Sequence, residues 1–363
     1  MTKDLSTTEL FFALIRCCTG SGEKLPIVPS REQWEELFVT ARKQALQGVL
    51  FGAIEKLPQE QRPDVEVLLP WYNACETIKR KNAGLTGKAI ILSEKFKKEG
   101  FRNCVLKGQG VAQYYPNPQL RVSGDIDLWL DGGSDKIISY VRELLPKSKS
   151  VYHHIDFPMF DEVDIELHYR PTWLCNPTNN RRLQKFFEKA AEVQFSNTAQ
   201  TGSGTMHVPT TAFNLIYIQL HIFRHLFDEG IGLRQIMDYY FILKRGIGDK
   251  EKEECIRTLE SIGQIKFTKA LMYVLMEIFG IGEKEMIVKP DSRYGSFLLN
   301  EIMYAGNFGK YETRYRVTAR GFSLARLGMW IRRSARLLAY SPEEILWDPY
   351  FKIRNLCWRL HRN

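Results

Sequence analysis

Asp125 and Asp127, in the run Gly124-Asp125-Ile126-Asp127-Leu128, are the residues of this 363-residue chain whose types and spacing point most directly to chemistry. Side chains two apart on a β-strand project from the same face. The two aspartates would therefore point together while Ile126 and Leu128 turn into a core. Two like charges side by side among apolar neighbours are costly in a strand that serves only as structure. A divalent cation offsets that repulsion. Mg2+ takes hard oxygen ligands, typically one or two carboxylates together with substrate phosphates.

A second alternating run, Val163-Asp164-Ile165-Glu166-Leu167-His168, puts Asp164, Glu166 and His168 on one face and Val163, Ile165 and Leu167 on the other. Laid beside the first strand, it would supply a third carboxylate from Glu166 or Asp164. Three carboxylates on neighbouring strands can hold two metal ions about 3.5–4 Å apart. One ion would activate an attacking hydroxyl and the other would hold a triphosphate and the departing pyrophosphate. Such a transfer needs positioning and charge neutralisation rather than a covalent nucleophile. His168 would either back the metals or be a satisfied strand residue.

Upstream, Leu106-Lys107-Gly108-Gln109-Gly110 follows a strand-like run and opens a short helical stretch. Glycines let a backbone approach phosphates closely, and free N–H groups at a helix start attract anions. Lys107, Gly108 and Gly124 are therefore candidate nucleotide contacts. Arg121, just before the Asp125–Asp127 strand, could contact a phosphate or close a loop salt bridge.

Several elements must position these residues. Residues 6–100 read as helical, with Trp34, Leu37, Phe38, Ala41 and Ala45 at helical spacing and a longer helix from Leu85 to Lys98 stopped by Gly100. The pattern changes at Phe101. Cys104-Val105-Leu106 reads as a short strand, Val111–Tyr115 as one or two helical turns, and Ile126–Leu130 as a strand. Ser134 would cap a helix through Leu145. Residues 151–160 and 163–169 would form a hairpin. From residue 179 the chain reads as helical again, in segments 180–195, 209–228, 233–246, 250–261, 265–279, 292–305 and 321–339. Thr198–Thr205 reads as a loop or linker.

Residues 104–131, CVLKGQGVAQYYPNPQLRVSGDIDLWLD, resemble a bacterial family of uncharacterised nucleotidyltransferases within the DNA polymerase beta superfamily. That family shows an LKG turn, a YPxP–R–GDIDL run, and a strand ending in an acidic residue, Leu, His and an aromatic. Glu166-Leu167-His168-Tyr169 stands there in this chain. The family continues with a His-x-x-x-His helix and then LR and Asp. This chain has His221 and His225, then Leu233-Arg234 and Asp238.

The resemblance implies an α+β protein: a small mixed-sheet nucleotidyltransferase core embedded in a mostly helical chain. It implies NTP and Mg2+ (Mn2+ as a substitute) as substrate and cofactor, with Asp125, Asp127 and Glu166 as metal carboxylates. The organisation expected is an N-terminal helical region over residues 1–100, the core over 101–172, and a C-terminal helical domain with a basic tail over 173–363. One departure concerns the phosphate turn. The superfamily often has Gly-Ser about a dozen residues before the first Asp, whereas Lys107-Gly108 stands here, farther upstream.

His221, Arg224, His225 and Asp228 fall on one helical face. That face could chelate zinc through the histidines or close over the core as a polar wall, where Arg224 could meet a nucleotide phosphate through its planar fork. Arg234 and Asp238, four apart, read as an ion pair within one helix.

Composition sets the outer bounds. The net charge is +9, and residues 313–363 carry eleven Lys and Arg against three Asp and Glu, an excess of eight. That tail could be a solvated helical face or an anion-binding surface. Arg326, Arg333 and Arg336 share a face there, and the aromatics of residues 347–358 are interleaved with Lys352, Arg354 and Arg359, a pattern that can stack on and grip RNA or pack a core. Seven cysteines without a CxxC pair point to reduced thiols rather than a disulfide or zinc framework. No secretory signal and no membrane-spanning run is recognisable, so a cytoplasmic, non-membrane protein is expected. The acceptor is open: tRNA, protein or a small molecule. Two rival readings are a non-catalytic nucleotide- or RNA-binding module of the same fold, and a nucleotidyltransferase toxin.

Overall fold

The computed structural model describes residues 6–311 and 324–362. Four helices come first: α1 (Thr7–Thr19), α2 (Arg31–Lys43), α3 (Gln47–Ile54) and α4 (Val65–Lys98). Local chemistry sets their starts. Ser6 with Glu9 and Ser30 with Gln33 form reciprocal capping boxes at α1 and α2, and Asp64 caps α4 through the Val67 N–H. The helix expected from Leu85 is the second half of α4, which begins twenty residues earlier and carries Pro70 near its start. Burial of Trp71, Cys75 and Ile78 on one side of α4 holds the first half in place.

The core module follows: β1 (Asn103–Leu106), α5 (Lys107–Ala112), β2 (Ile126–Leu130), α6 (Gly133–Leu144), β3 (His154–Asp156) and β4 (Ile165–His168). The sheet order is β1-β2-β4-β3, with β2 and β4 parallel and the two outer pairings antiparallel. This is the expected small mixed sheet in a mostly helical protein. The first helical turn after β1 starts at Lys107 rather than Val111. α6 is capped by Gly132 in a left-handed conformation (φ 117°), so Ser134 lies inside the helix and not at its cap.

Both sheet faces are covered. Val105, Ile126, Leu128, Leu130, Ile155, Ile165 and Leu167 join Leu92 and Phe96 of α4 and Ile137 and Val141 of α6 in one apolar cluster. On the other face, Cys104, Leu106 and Trp129 belong to a larger cluster that runs from Leu10 to Tyr340. Within it Trp129 packs its ring on Phe195 at 4.7 Å and Phe213 at 5.6 Å. The module is therefore fastened to helices that precede and follow it in sequence.

Beyond the sheet lie α7 (Pro177–Ser196), β5 (Thr198–Thr201), β6 (Gly204–His207), α8 (Thr211–Asp228), α9 (Leu233–Arg245), α10 (Asp249–Ser261), α11 (Ile265–Val274), α12 (Ser292–Ala305), α13 (Leu324–Leu338) and α14 (Pro342–Arg362). Thr198–Thr205, read as a loop, belongs to a β5–β6 hairpin whose Met206 is buried against the sheet cluster. α14 was not expected from the sequence. The helix expected over 321–339 is α13; its first positions and the side chain of Arg326 lie outside the described residues. Among the described residues no helix is long and apolar enough to cross a membrane.

Candidate active site

The parallel pairing of β2 with β4 sets Asp127 directly across from Glu166 and Trp129 across from His168. Asp125 stands one residue before β2, and the Ile126 N–H donates to the Asp164 carbonyl at 2.9 Å, which locks the entry of the two strands together. Because side chains alternate along a strand, Asp127, Glu166 and His168 share the face opposite the apolar cluster. His168 Nε2 lies 2.9 Å from Asp127 Oδ1 and 3.2 Å from Glu166 Oε2. Asp164, just before β4, is exposed and is not among the residues that line the cavity or group with the aspartates. Of the two sequence candidates for the third carboxylate, the fold brings only Glu166 to the aspartates.

Lys107 enters from the turn between β1 and α5 and places Nζ 2.7 Å from Asp127 Oδ1. Its backbone has φ 41°, a left-handed conformation that costs a residue with a Cβ and is often found where a side chain must be aimed. Gly108 follows at φ 20°. Gly110 is required by packing: a Cβ there would come within 2.3 Å of the Val105 carbonyl oxygen, so no larger residue lets α5 lie on β1.

The electrostatics match this crowding. The neighbouring Asp127 charge, followed by burial, raises the Asp125 carboxyl above its ordinary value. Burial also pushes Glu166 up, but hydrogen bonds with His154 and His168 outweigh it and hold the carboxyl well below the usual carboxylate range. Burial works against the Lys107 ammonium, yet Asp127 and its neighbours keep it well above its usual value. Asp127 Oδ2 is buried without a protein partner. A buried carboxylate oxygen left unpartnered is costly, and hard carboxylate oxygens beside it are the donor set that Mg2+ or Mn2+ takes. Asp127, Glu166 and His168 each offer a ligand atom, all within 4.8 Å of one another. The residues present therefore fit a divalent cation.

Lys107, Asp125, Glu166 and His168 line a cavity of about 610 Å³ that also receives Gly124, Arg121, Trp173, His221, Arg224, His225 and Arg234, while Asp127 is buried behind them. The cavity walls are built from ion pairs. Arg121 is buried and grips Asp238 with both prongs, Nε to Oδ1 and Nη2 to Oδ2, each at 2.7 Å. Tyr115 donates to the same Oδ1 at 2.6 Å. Asp238 is thus engaged by Arg121 and not by Arg234, as its spacing on α9 had suggested. Arg234 instead donates to the Val122 carbonyl at 2.8 Å.

Arg224 donates to both carboxylate oxygens of Asp228 at 3.0 and 2.9 Å, pairs with the buried Glu344 of α14, and lies over the Trp173 ring. Its guanidinium stands in the wall of the cavity with two carboxylate partners already in place. His221 and His225 also face the cavity, their rings 4.3 Å apart. Burial, reinforced by Lys107 and His225, holds the His221 imidazole well below its ordinary value.

Among the described residues, Arg332, Arg336, Lys352, Arg354 and Arg359 of the tail are solvent-exposed, and several of the tail's basic groups are ion-paired. Arg336 pairs with Glu301 at 2.6 Å, Lys352 with Asp348 at 2.6 Å, and Arg362 with Asp135. Phe351 is buried against Tyr152 and Trp173, while Trp347 and Tyr350 remain exposed.

Sequence reasoning missed His153 and His154, which the short β3 carries to the same corner, and Trp173, whose ring covers His153 at 4.1 Å. The adjacent histidine pair in the hairpin was the available signal. β3 is only three residues long, too short for its periodicity to assign a face.

No curated protein matches the sequence. Among solved structures, an antigenic nucleotidyltransferase-like protein from Paracoccidioides brasiliensis is similar over 48% of this chain and 85% of its own, at 11% identity and a TM-score of 0.30, a likeness too slight to bear on the site. The sequence matches the family model described as uncharacterised nucleotidyltransferase over residues 30–280, more than half of its length. With the Asp125–Asp127 strand and Glu166 inside that span, this chain belongs to that nucleotidyltransferase family.

Proposed function

We propose that the protein moves a nucleoside monophosphate from an NTP to an acceptor hydroxyl, releasing pyrophosphate, with Asp125, Asp127 and Glu166 as the metal-binding carboxylates. The observation that carries this reading is the register pairing of Asp127 with Glu166, beside Asp125, at the wall of a cavity large enough for a nucleotide. Bound Mg2+ or Mn2+ would polarise the α-phosphate and the acceptor oxygen and neutralise the charge developing on the leaving pyrophosphate.

The chain's own residues do the rest. Lys107 balances the carboxylates and lies where a triphosphate oxygen can draw its ammonium away from Asp127. Gly108 and Gly124 leave the backbone open at the same edge, and nothing in the fold lies within 4 Å of where a Gly124 Cβ would be. Arg121 and Arg224, clamped by Asp238 and by Asp228 and Glu344, form a fixed, ion-paired wall rather than mobile phosphate grips. The acceptor oxygen attacks the α-phosphorus, the bond to the pyrophosphate oxygen breaks in line with it, and the acceptor proton passes to a carboxylate of the cluster.

The test is incubation with labelled NTPs, Mg2+ and cell extract. Label should move to an acceptor with the wild-type chain and not with the Asp125→Ala, Asp127→Ala double variant. Absent transfer, or equal labelling by both, would overturn the proposal.

A further inference from the structure

His153, His154 and His168 offer one ring nitrogen each within 4.8 Å of the other two, a nitrogen-donor cluster that shares His168 with the acidic group of Asp127 and Glu166 beside it. His153 Nε2 and His154 Nδ1 stand 3.0 Å apart. Two ligands of a tetrahedral ion at about 2.0–2.1 Å stand roughly 3.3 Å from each other, so small ring rotations would bring this pair to that spacing.

Each ring is held from behind. His168 Nδ1 lies 3.3 Å from the Arg170 carbonyl oxygen, which turns Nε2 toward the cluster. His154 Nε2 lies 3.5 Å from Asp156 Oδ1, leaving Nδ1 facing inward. Trp173 packs at a tilt of 38° against His153, whose own backbone carbonyl accepts the Tyr169 N–H at 3.0 Å. A second ring nitrogen engaged by a carbonyl or carboxylate is the arrangement that orients metal-ligating histidines. On the inward side, Glu166 Oε2 stands 3.2 Å from both His154 Nδ1 and His168 Nε2. Lone pairs facing one another at that distance need a proton or a cation between them.

We propose that His153, His154 and His168 form a nitrogen-donor site for a transition-metal ion, adjoining the oxygen-donor site of Asp125, Asp127 and Glu166. Imidazole suits Zn2+, Co2+ and related ions, whereas Mg2+ keeps to oxygen ligands, so the two sites would differ in metal. The inference goes beyond nucleotide transfer and stands or falls apart from it.

The test uses the full chain stripped of metal, held in saturating Mg2+ and titrated with Co2+ alone. Visible absorption and X-ray absorption report the ligands. The expected result is Co2+ bound with at least two imidazoles, its affinity reduced by about 100-fold or more in the His153→Asn, His154→Asn double variant, since even an outer partner of a ligand is worth up to about that much. Thermal unfolding of the variant checks that it folds; should it not, the imidazole count in the wild-type chain decides alone. Co2+ with oxygen ligands only, or unaltered Co2+ binding by the folded variant, overturns the proposal. Inactive protein that binds Co2+ through imidazoles would contradict the transfer reading and leave this one standing.

Discussion

Glu166 lies directly across from Asp127 in the parallel β2–β4 pairing, and His168 Nε2 reaches both of their carboxylates. Backbone register, more than loop conformation, thus sets Glu166 beside Asp127. Glu166→Gln keeps the shape and removes the charge. Transfer should fall roughly 10³-fold, about 4 kcal/mol, within the several kcal/mol that metal-held charge stabilisation supplies. Mg2+ affinity by calorimetry should weaken in parallel. Asp164→Asn, exposed outside the cavity, should leave both unchanged. Equal losses from the two variants would contradict the assignment of Glu166.

Gly110 and Gly124 separate packing from binding. Gly110→Ala drives a Cβ to within 2.3 Å of the Val105 carbonyl and should cost about 1–3 kcal/mol in denaturant unfolding. Gly124→Ala meets nothing within 4 Å and should stay within about 0.5 kcal/mol of wild type. A lower NTP affinity in Gly124→Ala at unchanged stability would then locate the triphosphate beside it.

Arg121 and Asp238 form a buried, bidentate pair. Removing one partner strands the other, so Arg121→Ala and Asp238→Ala should each lower unfolding stability by about 3–5 kcal/mol. A role confined to phosphate binding would show the opposite pattern: a raised KM for Arg121→Ala with stability unchanged.

The buried His221 sets an acid limit on stability. Its folded-state value is depressed from 6.5, chiefly by burial, so the unfolded chain takes a proton that the folded one refuses. The contribution is complete above about pH 6.5 and is lost as pH falls from there toward the depressed value. Thermal unfolding from pH 8 to 5 should show stability declining below that point, and His221→Phe should flatten the decline. Identical slopes for the two proteins would exclude His221 as a source.

The grouping of these acidic side chains was legible in the sequence because a strand's period of two leaves a plain trace: Asp125/Asp127 and Glu166/His168 alternate with Ile126, Leu128, Ile165 and Leu167. Contacts that cross the fold leave no such trace. Asp238 sits four residues from Arg234 and reads as its partner, but a folded neighbour, Arg121, occupies it. The polar run Thr198–Thr205 offers no alternation, and only its pairing on the sheet side makes a hairpin of it. In α14, Pro349 and the scattered aromatics obscured a helical stripe, and packing of Phe351 on Tyr152 and Trp173 supplies what local propensity did not show. His153 and His154 were invisible as site residues because β3 is three residues long.

Crystals soaked with a non-hydrolysable NTP and Mg2+ test the central claim most directly. The account predicts metal bound by Asp125, Asp127 and Glu166 at about 2.0–2.1 Å, with the triphosphate in the same cavity and Lys107 turned from Asp127 toward a phosphate oxygen. Nucleotide seated elsewhere, or bound in this cavity with no metal on these carboxylates, would contradict it.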